Sequence, residues 1–427
     1  MKKLLQKTQT TLTLIVLIMT GVSTMQAQTV NMDCFITLNT QQGEFIKLKF
    51  KAAAPSTLIK IVSGNKTKDI IVGTGWTNYK NYISEDKNMI IYGDIIGLDC
   101  SSNSKKLTNI DLSNNTQLKA LYCHTNSIAS IDVSKNTELK ELGCANTNLT
   151  TLNVRNNTEL NILRCFNAGL TSIDVSKNTK LKELDCSNNK LTSIDISNNK
   201  ELIVLSCSNN RLTSIDVSNN IALKGLSCDN NSFSSLDISK NTKLRNLYCY
   251  NNSLTKLDIS NNKELKNLYC HGNNFNTQVL DDIYCNLPNH TVEEPGLIHP
   301  AFDTSDTNHD AVKATNAHNA HSKNWKVRYY SNDSEISTNG SYICNKPSNV
   351  NTHTKSTVSI YPNPVSDILY IQSENNINSV HIYNMYGIEV ASTSNTTQIN
   401  LAHLPAGIYA VRIVSLSGTT MQRIVKK

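Results

Sequence analysis

Eight cysteines stand at one fixed spacing: Cys123, Cys144, Cys165, Cys186, Cys207, Cys228, Cys249 and Cys270 are each 21 residues apart. Thiols so placed can bridge, hold a metal or fill a core. One thiol per turn in a line gives no tetrahedral ligand set, so a metal site is not expected. Coils stacked about 4.8 Å apart would bring neighbouring cysteines within bridging Cα distance. In-register side chains project in parallel, however, which fits the S–S torsion poorly. The expected arrangement is a column of reduced thiols, packed as small buried apolar groups.

Other candidate chemistry is sparse. His309, His318 and His321 cluster in "NHDAVKATNAHNAHSK", which reads as a solvated loop before it reads as a metal site. Asp174, Asp195, Asp216, Asp237 and Asp258 form a row of carboxylates. Their regularity suits turn capping, not acid–base catalysis, which needs two carboxylates in different environments. No HExxH, GxSxG or phosphate-loop pattern occurs. No catalytic residue, metal or cofactor is expected, and the chain reads as a non-enzyme. The formal charge of +7 includes Lys2, Lys3 and Lys7 at the N-terminus, so it gives no support for nucleic-acid binding.

The elements that place these residues repeat. From about Leu98 to Phe275 the chain follows L-x-x-L-x-C-x-x-N-x-L-T-x-[IL]-D-[VI]-S-x-N. Such a period predicts a leucine-rich repeat solenoid: one short strand per coil, stacked into a parallel concave sheet. Both leucines and the cysteine should face inward, with an inward asparagine ladder at Asn126, Asn189, Asn210, Asn231, Asn252 and Asn273. A second row, from Asn115 to Asn262, should close the turn on the back. Thr147 and Ala168 interrupt the first ladder, and Asn153 and Arg155 replace the usual Asp and Ser, so less regularity is expected between Cys144 and Asn178.

Outward strand positions should line the concave face. They carry Tyr122, His124, Arg164, Phe166, Tyr248, Tyr250, Tyr269 and His271, the candidate ligand-binding residues. Exposed aromatics on a rigid sheet suit binding hot spots, and equally suit the ordinary preference of strands for aromatics. At the strand entries, Lys119, Lys140, Lys182, Lys224, Arg245 and Lys266 read as a solubilising basic row.

The period, the cysteine slot and "LTSIDVSxN" together resemble the internalin J-like, cysteine-ladder leucine-rich repeat proteins of bacterial surfaces. That resemblance covers nearly half the chain and implies adhesion or surface interaction. At the other end, short alternating strands broken by Pro and Gly read as a small β-sandwich. Pro362, Asn363 and Pro364, then Gly407, Ile408 and Tyr409, and finally Lys426 and Lys427, resemble the motifs of the type IX secretion C-terminal sorting domain. This second resemblance implies export across a Gram-negative outer membrane to the surface or medium.

The expected organisation is mainly β. A signal peptide occupies residues 1–27, with a basic start and the apolar "LTLIVLIMTGVS". A β-rich N-terminal cap (28–97), the solenoid (98–276) and an α/β C-terminal cap (277–346) follow. In the C-cap, "NFNTQVLDDIYCNLP" suits a short helix, "NWKVRYY" a closing strand, and the pairing of Cys285 with Cys344 is left open. A linker (347–357) leads to an Ig-like sorting domain (358–427). The expected function is a surface or secreted adhesin that meets a host or bacterial protein or glycan through the concave face, in attachment, co-aggregation or biofilm. The type IX machinery is the second expected partner, and no nucleic acid is expected. A secreted metal-dependent module or enzyme and a self-associating matrix protein are the alternatives. No stretch after the signal is long and apolar enough to span a bilayer.

Overall fold

The computed structural model describes residues 29–344, 359–373, 376–384, 388–415 and 418–427, in two compact units divided at Cys344. The expected signal peptide and linker lie outside the described residues. Among the described residues no helix is long and apolar enough to cross a membrane.

Eight strands of three residues each form the concave sheet of the solenoid: β9 (Ala120–Tyr122), β10 (Glu141–Gly143), β11 (Ile162–Arg164), β12 (Glu183–Asp185), β13 (Val204–Ser206), β14 (Gly225–Ser227), β15 (Asn246–Tyr248) and β16 (Asn267–Tyr269). They pair in parallel with leucine opposite leucine, from Leu121 to Leu268. A strict 21-residue period holds this register, because each coil must return its leucine to the same side. The leucines and the eight cysteines are fully buried. Each buried leucine contributes about 1.5–3 kcal/mol, so the stack is held mainly by this column.

Two asparagine ladders bind one coil to the next. Asn189 donates Nδ2 to the carbonyls of Cys165 (2.9 Å) and Cys186 (3.0 Å), while its Oδ1 accepts from the Leu170 N–H (2.9 Å). The residue before it, Asn188, takes the left-handed conformation, as do Asn146, Asn167, Asn209, Asn230 and Asn251. Asparagine visits that region more readily than most residues. The second row is also internal: Asn199 donates to Val175 O (3.0 Å) and Asn178 O (2.8 Å), and is fully buried. It therefore does more than close a turn. It replaces backbone pairing on the side of the coil that has no strand.

The N-terminal cap is a two-layered extension of the first coil. β1 (Phe35–Thr40), β3 (Thr57–Ser63), β4 (Lys66–Val72), β6 (Asn88–Tyr92) and β8 (Leu107–Asn114) form one sheet in the order β4-β3-β6-β1-β8. β2 (Phe45–Ala52), β5 (Lys80–Ile83) and β7 (Ile95–Asp99) lengthen the concave sheet instead. β7 pairs in parallel with β9, and β2 pairs antiparallel with β7. The alternation in "FIKLKF" explains β2: Ile46, Leu48 and Phe50 are buried, and the lysines between them face outward.

At the other end, α1 (Thr277–Asn286) is capped by Asn276, whose side chain accepts from Val279 N. β17 (Gly296–Ala301) and β18 (Trp325–Tyr329) continue the parallel sheet beyond β16. Trp325 and Val327 are buried, as the strand reading of "NWKVRYY" expects. Cys285 and Cys344 form a disulfide that ties α1 to the end of this unit. One continuous hydrophobic core runs from Ile36 to Ile336.

The second unit has its own core. β19 (Ser359–Tyr361), β20 (Ile368–Gln372) and β23 (Gln398–Asn400) make one sheet. β21 (Ile377–Tyr383), β22 (Glu389–Ser394), β24 (Gly407–Ser415) and β25 (Gly418–Lys426) make the other, in the order β22-β21-β24-β25.

Candidate functional site

On the concave face, residues on either side of each central leucine and its cysteine point out, and their character changes along the sheet. Near the N-terminal end they enclose a recess of about 420 Å³, lined by Lys49, Trp76, Asp99, Tyr122, His124, Gly143, Ala145, Arg164 and Phe166. The floor is the coil of Cys144, where Gly143 and Ala145 occupy positions that the flanking coils give to Tyr122, His124, Arg164 and Phe166. Strands lie about 4.8 Å apart, so these two side-chain rows stand about 10 Å apart across a bare strip. A Cβ on Gly143 would lie 2.8 Å from the Tyr122 ring, and one on Gly97 would lie 2.9 Å from the Trp76 ring. Both glycines make room for an aromatic wall.

The walls are held by polar contacts. Arg164 makes a bidentate pair with Glu183, Nε to Oε1 at 2.6 Å and Nη2 to Oε2 at 3.0 Å. This hydrogen-bonded pair raises the guanidinium pKa further. Tyr122 donates its hydroxyl to Glu141. Tyr79 donates to Asp99 Oδ2 at 2.5 Å, and Ser101 donates both N–H and Oγ–H to Asp99 Oδ1. Lys47 and Lys49, outward on β2, lie over the Tyr79 ring at 4.0 and 5.0 Å, and Lys49 lies 5.1 Å from the Trp76 ring. The loop bearing Trp76 is tied to β2 by Thr77, which exchanges two hydrogen bonds with Phe50. Half-burial of His124 lowers its pKa, so its imidazole is neutral at pH 7.

The structure thus brings Tyr122, His124, Arg164 and Phe166 together and adds cap residues that the repeat pattern does not mark. Gly143 and Ala145 are the one legible signal, because they depart from the bulky outward residues of the adjacent coils. Trp76, Lys49 and Asp99 carry no such signal, because their pairing with the first coil is a tertiary event.

The C-terminal end differs from expectation. Tyr248 and Tyr269 stack at 4.6 Å, and Tyr250 and His271 at 4.5 Å. His271 is only 1% exposed. The expectation that it lies open beside the tyrosines is corrected: Tyr330 stacks on it at 4.8 Å and Phe302 lies at 5.8 Å, both from the C-terminal cap. His299, on β17, packs against Tyr269 at 4.7 Å. Burial, above all, lowers the His271 pKa to about 4. The three tyrosines remain half-buried, as members of a ring stack that joins the last coils to the cap.

Between the two aromatic ends the face carries no rings: Ser206 and Ser227 point outward, Val204 is exposed beside Gly225, and Ser208 donates to Asp229 Oδ1 at 2.6 Å. The cysteine column is buried and unbridged, with Cys100 in the same line. Desolvation raises the thiol pKa values far above the ordinary range. On the back, each aspartate of the row accepts the N–H of the serine two residues on, as Asp195 does from Ser197 (2.9 Å). Ser176 and then Arg155 hold Asp174 down to about 2. The coil between Cys144 and Asn178 keeps its register. There Thr147 donates to Cys144 O, and Asn189 reaches back to the N–H groups of Ala168 and Gly169. Three members of the basic row are paired: Lys119 with Glu138, Arg245 with Glu264 and Lys266 with Glu294.

The histidine-rich segment is not a loop throughout. His309 opens α2 (His309–Lys313), and His318 and His321 bound α3 (His318–His321). The segment folds because Val312 and Ala320 bury against the cap. His309 stacks on Tyr329. Among the described residues no group of three His, Cys, Asp or Glu is placed to hold a metal.

In the C-terminal unit the motif residues meet along β25. Asn363 donates Nδ2 to Arg423 O and accepts from Val425 N, both at 2.9 Å. Val365 completes this edge through its backbone to Val425 and Lys427. Gly407 pairs with Lys426 and Ile408 with Val425, while Tyr409 is buried and donates to Pro405 O.

Residues 359–427 match the family model described as a secretion system C-terminal sorting domain. No curated protein matches the chain. Among solved structures, the functional domain of InlJ from Listeria monocytogenes, described as including a cysteine ladder, is similar at 24% identity over 78% of this chain and 81% of that one, with a TM-score of 0.43. A leucine-rich repeat protein of Leptospira interrogans is similar at 24% identity over 41% of this chain and 48% of that one (TM-score 0.40). The leucine-rich repeat ectodomain of the plant receptor kinase GASSHO1/SCHENGEN3 of Arabidopsis thaliana is similar at 30% identity over 39% of this chain and 22% of that one (TM-score 0.37). The chain is a leucine-rich repeat solenoid with a cysteine ladder, similar to InlJ, and it carries a type IX secretion sorting domain at its C-terminal end.

Proposed function

We propose that this is a non-enzymatic protein of the cell surface or medium that attaches to a surface protein or glycan of a host or neighbouring bacterium through its concave face. The recess between the rows of Tyr122 and Arg164 would seat the ligand's anchoring group, with Ser206 and Ser227 giving a flat polar continuation toward Tyr248, Tyr250 and Tyr269. The observation that carries this reading is the recess itself: aromatic walls, a bare floor and polar groups already held in place. Walls so fixed lose little entropy on binding. A signal peptide and the sorting domain would take the chain to that location.

The test is attachment of purified full chain to bacterial and host surface extracts. Replacing Trp76 and Phe166 together by alanine should weaken attachment by the equivalent of about 2 kcal/mol or more. Replacing Asp195 and Asp216 on the back should leave it unchanged. Normal attachment by the recess variant, with loss in the back-face variant, would move the site to the convex side. Attachment only between copies of the chain would favour a self-associating matrix protein.

A further inference from the structure

In a two-layered sandwich the outer face of each sheet is normally polar. β24 and β25 break this rule. Tyr409, Val411 and Ile413 point to the core, and the alternate residues point out. Among these, Ile408 is 52% exposed and, on β25, Met421 is 59% exposed. Register places Ala410 opposite Arg423 and Arg412 opposite Met421, with Tyr383 of β21 beside Ala410. The result is a shallow face with apolar side chains between two exposed guanidinium groups. Among the described residues neither Arg412 nor Arg423 has a carboxylate partner, whereas Glu389, at the far side of the sheet, is paired with His381. An apolar patch framed by unpaired cations is built to be covered.

Over the C-terminal half of β25 the edge beside this face is already closed. Asn363 and Val365 already satisfy the backbone of β25 from Arg423 to Lys427, so strand addition there is blocked. The face remains.

We propose that the outer face of β21, β24 and β25 is the docking surface of the sorting domain, and that it receives a protein of the export machinery whose own surface sets carboxylates around an apolar centre. This rests on the sorting reading of the C-terminal unit. Arg412 and Arg423 set orientation and exclude basic partners, while Ile408 and Met421 supply the buried centre.

The experiment compares export of five full-length or truncated chains in a Gram-negative host with type IX secretion: wild type, a deletion of residues 358–427, Arg412→Glu/Arg423→Glu, Ile408→Thr/Met421→Thr, and Tyr361→Ser/Tyr370→Ser. The last alters an exposed ring pair on the three-stranded sheet. Surface and medium fractions are quantified, and protease resistance of the retained chain reports whether the sorting domain is folded. The deletion and both face variants should lower export by about tenfold or more, with the domain still protease-resistant in the two face variants, and the Tyr361/Tyr370 variant should export normally. Normal export of both face variants beside a blocked deletion would overturn the docking face and leave the sorting reading intact. Normal export of the deletion would overturn both. If one face variant fails to fold, the other decides.

Discussion

Exchanging the sulfur of Cys207 for oxygen would place a hydroxyl in an apolar column, at a cost of about 1–3 kcal/mol. Chemical denaturation of Cys207→Ser against the parent measures it. Under denaturing, non-reducing conditions the eight periodic thiols should all titrate as free; finding most of them oxidised in fresh protein would contradict the column. The same burial makes the fold sensitive to alkali. Because the folded thiols titrate far above their ordinary 9.0, their contribution is fully present below pH 9.0 and is lost as pH rises beyond it. His271 acts at the other limit. Its folded value of about 4 lies below the ordinary 6.5, so its contribution is present above pH 6.5 and fades as pH falls through about 4. The groups around it are Asp306, His299 and Asp229. His271→Phe should flatten the drop in melting temperature between pH 6.5 and 4, as scanning calorimetry would show.

At the scale of the coil, neighbouring asparagines have opposite fates. Asn199 is fully buried and serves two carbonyls, while Asn198 is exposed. Asn199→Ala should destabilise by about 2–3 kcal/mol, because it strands buried acceptors. Asn198→Ala should stay within about 0.5 kcal/mol. Urea denaturation of the two variants checks the contrast. The repeat made much of this legible: Leu181, Leu184 and Cys186 recur at a period that admits one strand per coil. What the period does not encode was not legible. Asn199 looks like any turn asparagine until the coils are stacked. The short β17, "GLIHPA", shows no alternation and is placed by the edge of β16. Trp76 lies in a loop tied to β2, and the ring it meets in the first coil, Tyr122, is remote in the chain. His271 reads as an outward strand residue because the cover, Tyr330, comes from another element.

The whole molecule divides its tasks between two cores that share no cluster. Removing residues 358–427 should therefore leave the melting behaviour of the solenoid within about 1–2 °C while lowering surface display, since ΔΔG near zero leaves the midpoint in place. The central claim is that the concave face meets the ligand. A photo-reactive phenylalanine analogue at Ser206 stands between Asp185 and Ser227, away from the rings, and leaves the recess open; the same group at Asp216 stands on the back. Illumination of full chain on target cells, followed by mass spectrometry, compares the two. The account predicts a covalent adduct to a foreign surface molecule from position 206 and none from position 216. An adduct from 216 alone would contradict it.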